Sequence, residues 1–200
     1  MTSGNLDVDM TVVFSVGHSN HDIDGLCRLL EVHSIDVVAD VRTAPFSRYS
    51  PHFNREALAR DLKARGVDYV FLGRELGGRP DGAQFYDDEG HVRYDRLSKS
   101  DLFEEGVGRL LRGAERHRVA MLCSEGDPAQ CHRHLLIAKV LEERGVKVTH
   151  ILPGGEAAEY DHVAQRTPVQ FSLLDEGEES QWRSPLSVLR STQPNHSLDD

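Results

Sequence analysis

Residues 119–144 read VAMLCSEGDPAQCHRHLLIAKVLEER and contain an apolar run, a polar turn and a second apolar segment. The run from Val119 to Leu122 predicts a buried β-strand, because four consecutive apolar residues bounded by turn residues are typical of a strand inside a sheet. The segment from Cys131 to Arg144 predicts a helix that is apolar on most sides. Gly145 can end this helix, and a further strand is expected from Val146 to Leu152. The stretch therefore predicts a β–α–β unit.

The same alternation extends toward the N-terminus. Strands are predicted at 12–16, 36–41 and 67–72, with helices at 23–30, 54–65 and 103–114. Asn20 is predicted to cap the first helix, and Cys27 to be one of its core residues. Alternating strands and helices predict a parallel sheet with right-handed crossovers and helices on both faces. The predicted fold class is α/β, a three-layer Rossmann-like domain with a mostly parallel sheet over residues 12–154.

Composition and charge limit the function classes. With 38% hydrophobic and 28% charged residues, the chain is typical of a globular domain, and no apolar run reaches the ~20 residues of a membrane span. Residues 1–11 are polar, which predicts a disordered N-terminus, a protein without membrane partners and a cytoplasmic location. The formal charge of -10 argues against nonspecific nucleic-acid affinity over the whole molecule. Residues 155–200 are predicted to be an acidic, largely disordered tail.

The carboxyl ends of the predicted strands carry polar residues and glycines. Ligands bind in open α/β sheets beyond the carboxyl ends of the strands, so these residues are expected to converge on one site. The candidates are His18 and Ser19 after the first strand, Arg42 and Ser47 after the second, and Cys123 and Glu125 after the fourth.

Two compatible chemistries fit this edge. A thiol at a strand end that faces a helix N-terminus favours the thiolate, so Cys123 or Cys131 is predicted to be a nucleophile, with Glu125 as the nearby acid or base. The start of the Cys131 helix also predicts an anion site. The residues predicted to hold a phosphate there are His18, Ser19, Arg42, Ser47, His132 and Arg133.

Other interpretations of the two cysteines stay open at this stage. The first is a zinc site made by Cys123, Cys131, His132 and His134, although C-x7-C-H-x-H lacks the short spacing of most structural zinc sites. The second is a reversible disulfide between the two cysteines, and the third is a pair of small buried thiols in an ordinary βα unit. No cofactor is predicted; zinc or iron is the alternative.

Four separated motifs carry a resemblance to a known family. They are Val16-Gly17-His18-Ser19, Asp40-Val41-Arg42-x-x-Pro45-x-Ser47, Tyr69-x-x-Leu72-Gly73-x-x-Leu76-Gly77-Gly78, and Cys123-x-Glu125 with Cys131-His132-Arg133. In this order they resemble the bacterial and archaeal family DUF488, a domain of unknown function, over about residues 12–154. The resemblance implies a Rossmann-like single domain with a cysteine-containing pocket, and it implies no particular reaction.

One peptide in the predicted tail has a partner-binding pattern. Gln170, Phe171, Leu173 and Leu174 resemble the peptide by which proteins bind the bacterial sliding clamp. A short extended segment of this kind can bury its apolar side chains in a partner's groove while the glutamine makes directed hydrogen bonds.

These observations lead to one main functional hypothesis and two alternatives. The main hypothesis is an enzyme acting on a small phosphorylated ligand or nucleic-acid end, with Cys123 and Glu125 near the reacting centre. The alternatives are a non-catalytic nucleic-acid-associated module tethered to the sliding clamp, and a thiol redox or metal sensor. The chain has neither a phosphate-binding loop with Gly-Lys nor a Gly-x-Gly-x-x-Gly turn, so ATPase and ordinary NAD-dependent functions lose support.

Overall fold

A computed structural model of the protein describes residues 11–166 and 182–187. Its centre is a six-stranded sheet with the order β3-β2-β4-β1-β5-β6. The strands are β1 (Val12–Gly17), β2 (Val37–Asp40), β3 (Asp68–Phe71), β4 (Val119–Cys123), β5 (Lys147–Ile151) and β6 (Ala157–Glu159). All neighbouring pairs are parallel except β5 and β6, which are antiparallel. The predicted α/β fold with a mostly parallel sheet is confirmed.

Helices cover both faces of this sheet. They are α1 (Ile23–Val32), α2 (Arg55–Lys63), α3 (Gly73–Leu76), α4 (Tyr94–Leu97), α5 (Asp101–Ala114), α6 (Lys139–Glu143) and α7 (Tyr160–Ala164), with a π-helix at Arg133–Ala138 that continues into α6. On one face, Leu26 of α1 and Leu58 of α2 share a hydrophobic cluster with Ala120 of β4. On the other face, Val107 of α5 and Leu136 of the π-helix share a second cluster with Met121.

The strand order indicates where along the sheet a ligand site is expected. The connection that leaves β1 packs α1 on one face and leads to β2, whereas the connection that leaves β4 packs α6 on the other face and leads to β5. Because β1 and β4 are neighbours, their carboxyl ends lie where the strand order reverses, which is the usual ligand position in such sheets. Gly17 and Cys123 are register partners at this point.

Two sequence predictions about α1 are wrong. Its cap is Asp22, whose Oδ1 accepts the Gly25 N–H at 2.6 Å, and not Asn20. Residues before it are held by the loop after β4, since the N–H groups of His18 and Ser19 donate to the carbonyls of Cys123 and Ser124 at 2.9 Å. The helix therefore begins later than the polar residues suggest. Cys27 is half-buried at the margin of its cluster and does not lie inside the core.

The helix predicted from Cys131 to Arg144 differs in its first half, which is π-helical. Arg133 and His134, although consecutive, are both buried there. A wider turn suits this arrangement, because the two side chains bond to different neighbours: Arg133 to the loop after β4 and His134 to His150 of β5.

Regular structure continues beyond residue 154, where the sequence predicts the end of the α/β domain. Strand β6 pairs with β5, and Val163 of α7 is fully buried. Residues 182–187, which we call the C-terminal strap, also contact the body: the Trp182 Nε1–H donates to the Leu135 carbonyl at 2.8 Å. Strand β6 has three residues and α7 five, too short for a periodic pattern to show.

The remaining predictions about the termini lie outside the described residues. These are the N-terminus at 1–10, the peptide at 170–174 and the rest of the tail at 167–181 and 188–200. The sliding-clamp hypothesis stays a prediction. Within the part of the chain that the structure describes, no helix is both long and apolar enough to cross a membrane.

Candidate functional site

Cys123, Cys131 and His132 form a compact group that we call the thiol–imidazole cluster. Cys123 is the last residue of β4, and the chain returns to it through a 3-10 turn at Pro128–Gln130. The Asp127 carboxylate caps this turn by accepting the Ala129 N–H at 3.0 Å. The two Sγ atoms and one ring nitrogen of His132 all lie within 4.8 Å of one another. The short turn therefore converts a sequence separation of eight residues into direct contact.

Hydrogen bonding fixes the tautomer of His132. Its Nε2 lies 3.1 Å from the Val41 carbonyl oxygen, which only accepts, so the Nε2 carries the proton. In the neutral ring, Nδ1 then has a free lone pair, and it lies 3.8 Å from the Sγ of Cys123 and 3.8 Å from that of Cys131. The imidazole is thus set to take a proton from a thiol.

Gly78 holds the His132 ring from the outside. A Cβ atom at Gly78 would lie 2.8 Å from Cγ and 2.9 Å from Nδ1 of His132, closer than real side chains approach. Only a glycine allows the backbone to come this near the ring. Gly77-Gly78 ends one of the motifs that carry the family resemblance, and the structure places Gly78 directly against the cluster.

The two thiols of the cluster have pKa values shifted in opposite directions. The hydrogen bond from Cys131 lowers the pKa of Cys123 well below its usual value, and His132 and Arg133 lower it further against the opposing effect of burial. Burial, together with the neighbouring Cys123, raises the pKa of Cys131 well above its usual value. Cys123 is therefore the more acidic thiol of the pair, and Cys131 is the thiol that keeps its proton and donates it in a hydrogen bond.

Tyr94 is a neighbour that sequence reasoning did not connect with the thiols. Its side chain is buried, and the burial raises its pKa, with further contributions from Cys131 and Cys123. Tyr94 is therefore a neutral phenol beside the sulfurs. The sequence carried no signal for this, because α4 lies in a loop-rich region far from the cysteines along the chain.

Arg42 lies at the same edge and is held rigidly by Asp40. The buried Asp40 carboxylate accepts from Nε and Nη2 of Arg42 at 2.8 and 2.6 Å, and from the Tyr69 hydroxyl at 2.7 Å. Nη1 of Arg42 makes no hydrogen bond to any described residue. A guanidinium fixed on one side by a carboxylate fork presents its remaining N–H groups in one orientation, which suits recognition of an anion.

His18 completes this side of the site. Its ring stacks on Phe53 with 4.2 Å between centroids, and its Nδ1–H donates to the Ser19 carbonyl at 3.1 Å. Burial, together with the charge of Arg42, lowers the pKa of His18 to about 4. His18 is therefore neutral near pH 7, with Nε2 as an acceptor.

A comparison with protein-family models identifies the family of this chain. The sequence model of the family described as Domain of unknown function DUF488 matches residues 22–140. The chain belongs to this family. The resemblance predicted from the motifs is thus confirmed, and the matched residues of the DUF488 chain include Asp40, Arg42 and the whole thiol–imidazole cluster. No match was found among curated proteins or among solved structures.

The DUF488 structure gives Arg133 a different task from phosphate binding. The side chain is fully buried, and its Nη1 and Nη2 donate to the carbonyls of Glu125 and Gly126 at 2.6 and 2.9 Å. Its Nε is buried without a partner among the described residues. Arg133 therefore holds the loop after β4 through its two carbonyl contacts, and its positive charge helps to lower the pKa of Cys123.

Three further predicted residues of the DUF488 site are not brought to the cluster as functional groups. The Glu125 side chain is exposed and makes no hydrogen bond or ion pair to a described residue. The Ser47 hydroxyl accepts the N–H groups of Tyr49 and Ser50 within its own loop. Ser19 adopts a left-handed conformation, with φ 46°, and packs against the loop after β4. Ser19 and Ser47 therefore support the backbone of the loops in which they lie.

His134 does not join the cysteines, so the four-ligand zinc interpretation is wrong for this residue. Its Nδ1 bonds instead to Nε2 of His150 at 3.0 Å, and Nδ1 of His150 bonds to the Ser15 hydroxyl at 2.6 Å. Within the described part of the DUF488 chain, one group of three or more residues could hold a metal ion, namely the thiol–imidazole cluster itself.

Proposed function

We propose that this protein is a cysteine-dependent enzyme that acts on a phosphate-bearing substrate related to nucleotides or nucleic acids. The observation that carries the proposal is the position of His132. Its Nδ1 lies 3.8 Å from the Cys123 Sγ, while its Nε2 is tied to the Val41 carbonyl. A thiol with an oriented imidazole beside it is the general arrangement of an activated cysteine nucleophile.

In the proposed reaction, the Cys123 proton moves to Nδ1 of His132, which leaves a thiolate and an imidazolium. The thiolate electron pair forms a bond to an electrophilic centre of the substrate, and the bond to the leaving group breaks. The imidazolium returns its proton to the leaving group, so that charge and protons balance. A water molecule activated by neutral His132 then releases the second product from Cys123.

The second thiol has a positioning role in this scheme. A hydrogen bond from a neutral Cys131 stabilises the negative charge on Cys123 in a pocket where little water is present. Without that donor, burial alone would favour the neutral thiol. Cys131 therefore acts through Cys123 and does not itself attack the substrate.

The phosphate part of the proposal is supported by Arg42. Its Nη1 makes no hydrogen bond to a described residue, and its Nε and Nη2 are locked by Asp40. Among the residues predicted to bind phosphate, His18 and Arg42 are close enough for the charge of Arg42 to lower the pKa of His18. We assign the substrate anion to Arg42, since the Nε2 of neutral His18 is an acceptor and cannot donate to an anion. Arg42→Gln is expected to raise KM more than it lowers kcat.

The test is the pH dependence of iodoacetamide alkylation at each cysteine, followed by mass spectrometry on the full chain. Cys27 is an internal reference, because burial raises its pKa. We expect Cys123 to have a midpoint well below that of Cys27, and His132→Gln to move the Cys123 midpoint upward. The pH midpoint of alkylation is the quantity compared, because burial lowers the alkylation rate at every pH.

Two results would overturn the proposal. One is a Cys123 midpoint no lower than that of Cys27. The other is one equivalent of zinc or iron in protein purified with a reductant, because the thiol–imidazole cluster would then be a metal centre.

A further inference from the structure

The loop after β2 exposes two aromatic rings. Phe46 is 72% exposed and Tyr49 is 92% exposed, and both belong to the segment 43–55 that follows Arg42 directly. Large exposed rings have no packing role in the folded chain and are characteristic of contact surfaces. Val41, whose carbonyl accepts from His132, lies two residues before this segment, so the segment begins close to the thiol–imidazole cluster.

The segment is ordered by its own hydrogen bonds. The Ser47 hydroxyl accepts two backbone N–H groups, and the Ser47 N–H donates to Asn54 Oδ1 at 2.7 Å. Pro51 then starts a 3-10 turn that buries Phe53 beneath the segment. Phe46 and Tyr49 are thus presented by a closed turn, and binding does not have to order them first.

The charge around the rings is positive although the whole chain is acidic. Residues 43–55 contain Arg48 and Arg55 and no acidic residue, whereas Arg42 just before them is paired with Asp40. The loop that contains α3 adds Arg74 and Arg79, both exposed. It lies against the same segment, because the Arg79 N–H donates to the Thr43 hydroxyl at 3.1 Å. We call residues 43–55 with Arg74 and Arg79 the basic–aromatic surface.

We infer that the basic–aromatic surface binds single-stranded nucleic acid and leads it to Cys123, an inference that rests on the proposed function and specifies its substrate class. Exposed rings stack on unpaired bases, and exposed arginines neutralise the phosphates between them. A duplex hides its base faces and offers no stacking partner. An apolar protein or lipid surface would gain little from a patch in which arginines alternate with the two rings.

The first experiment measures fluorescence anisotropy of a labelled single strand of about 20 nucleotides, as DNA and as RNA, with the full-length protein. We expect binding of one or both strands that weakens steeply between about 50 mM and about 200 mM salt, and weaker binding of the matching duplex. Binding to the duplex equal to that of the single strand would overturn the inference, as would absence of binding to both strands.

Variants separate this surface from the chemistry. Phe46→Ala with Tyr49→Ala is expected to weaken binding about tenfold or more, and Arg48→Gln with Arg79→Gln is expected to weaken it and flatten its salt dependence. The matched controls are Val32→Ala, an equally exposed apolar residue at the end of α1, and Arg116→Gln, both at the opposite edge of the sheet. Their affinity should be that of the wild type, and an equal loss in controls and test variants would contradict the inference.

The two proposals fail independently. Cys123→Ala removes the nucleophile and is expected to bind the strand like the wild type. The Phe46 and Tyr49 variant should keep the low alkylation midpoint of Cys123. A Cys123 alkylation midpoint well below that of Cys27, without strand binding, would remove only the nucleic-acid inference. Strand binding with a Cys123 midpoint no lower than that of Cys27 would remove only the proposed chemistry.

Discussion

His132 shows how a single side chain decides what the cluster can do. Its ring contacts both sulfurs through Nδ1, donates to Val41 through Nε2 and lies against Gly78. The Val41 carbonyl fixes the tautomer of the ring, and the close backbone of Gly78 restricts its rotation. The imidazole is therefore a fixed proton acceptor for the thiols.

Gly78→Ala tests this arrangement without touching the chemistry directly. The added methyl would lie 2.8 to 3.1 Å from atoms of His132, so the ring must shift and its Nδ1 leaves its present position beside the sulfurs. We expect the pKa of Cys123 to rise while the fold persists, measured by the alkylation midpoint and by circular dichroism. Gly113→Ala is the matched control, since its nearest neighbour would be 3.6 Å away. A low midpoint retained in Gly78→Ala would show that His132 does not lower the Cys123 pKa.

At the residue scale, the sequence predicted which loops meet but not what each side chain does there. It identified Cys123, His18 and Arg42 because they lie at or after strand ends, and Cys131 because it begins the helix that follows. It assigned His132 and Arg133 to phosphate, since a basic residue at a helix start is typical of anion sites. The actual roles depend on ring orientation and on burial of a guanidinium beneath a loop, and neither leaves a periodic pattern.

The hydrogen-bonded chain Ser15–His150–His134 joins three elements, β1, β5 and the π-helix. All three side chains are buried. Burial lowers the pKa of His150 to about 3 and that of His134 to about 4. Both histidines are therefore neutral in the folded protein at pH 7, and the chain connects the π-helix to the centre of the sheet.

The lowered pKa values predict an acid-sensitive fold. Below the unfolded value of 6.5 the unfolded chain binds protons that the folded chain rejects, so the stabilisation is complete above pH 6.5 and is lost as the pH falls toward the folded values. For His150 alone, the free energy of unfolding is expected to fall by on the order of 2–3 kcal/mol between pH 6.5 and about pH 4. Urea unfolding at several pH values measures this change.

His150→Gln supplies the comparison, because glutamine keeps hydrogen-bonding groups for Ser15 and His134 but does not titrate. The variant should be less stable than the wild type near neutral pH and should lose less stability between pH 6.5 and about pH 4. Parallel losses in both proteins would mean that His150 does not contribute to the acid sensitivity.

At the element scale, the strands and the long helices could be predicted because their periods are local. Helix α5 lies where Phe103, Val107 and Leu110 predict it. The π-helix could not be predicted, since it depends on where Arg133 and His134 find partners in distant parts of the chain. Short elements such as α3, α4 and β6 have too few residues for a period to be recognised.

The C-terminal strap ties distant parts of the molecule together. The Trp182 indole donates to Leu135, Lys139 lies 4.4 Å above its ring, and the ring packs edge-on against Tyr94 at 5.9 Å. Arg183 pairs with Asp87 and Glu89. The strap therefore links the loop before α4 with the helix after β4, on the side of the cluster where Tyr94 approaches the thiols.

Trp182→Ala is expected to lower the free energy of unfolding by on the order of 2–3 kcal/mol, because it removes a large packed ring and leaves a cavity against Tyr94. Urea unfolding followed by circular dichroism measures the change, since Trp182 is the chain's only tryptophan. Leu186→Ala is the control, because Leu186 is 74% exposed and belongs to the same strap. Similar small losses in both variants would contradict a structural role for the indole.

The order of the strands has a consequence for how the chain acquires its structure. Phe14 of β1 pairs with Ala120 of β4 and with Thr149 of β5, so the first strand to be synthesised has no partner until most of the domain has followed. Closing so long a loop costs entropy before any contact repays it, and non-local pairing of this kind slows folding. During synthesis, the apolar segment Val12–Gly17 therefore stays unpaired and prone to aggregation until β4 and β5 have formed. We expect refolding to be slow and to yield less native protein at higher concentration.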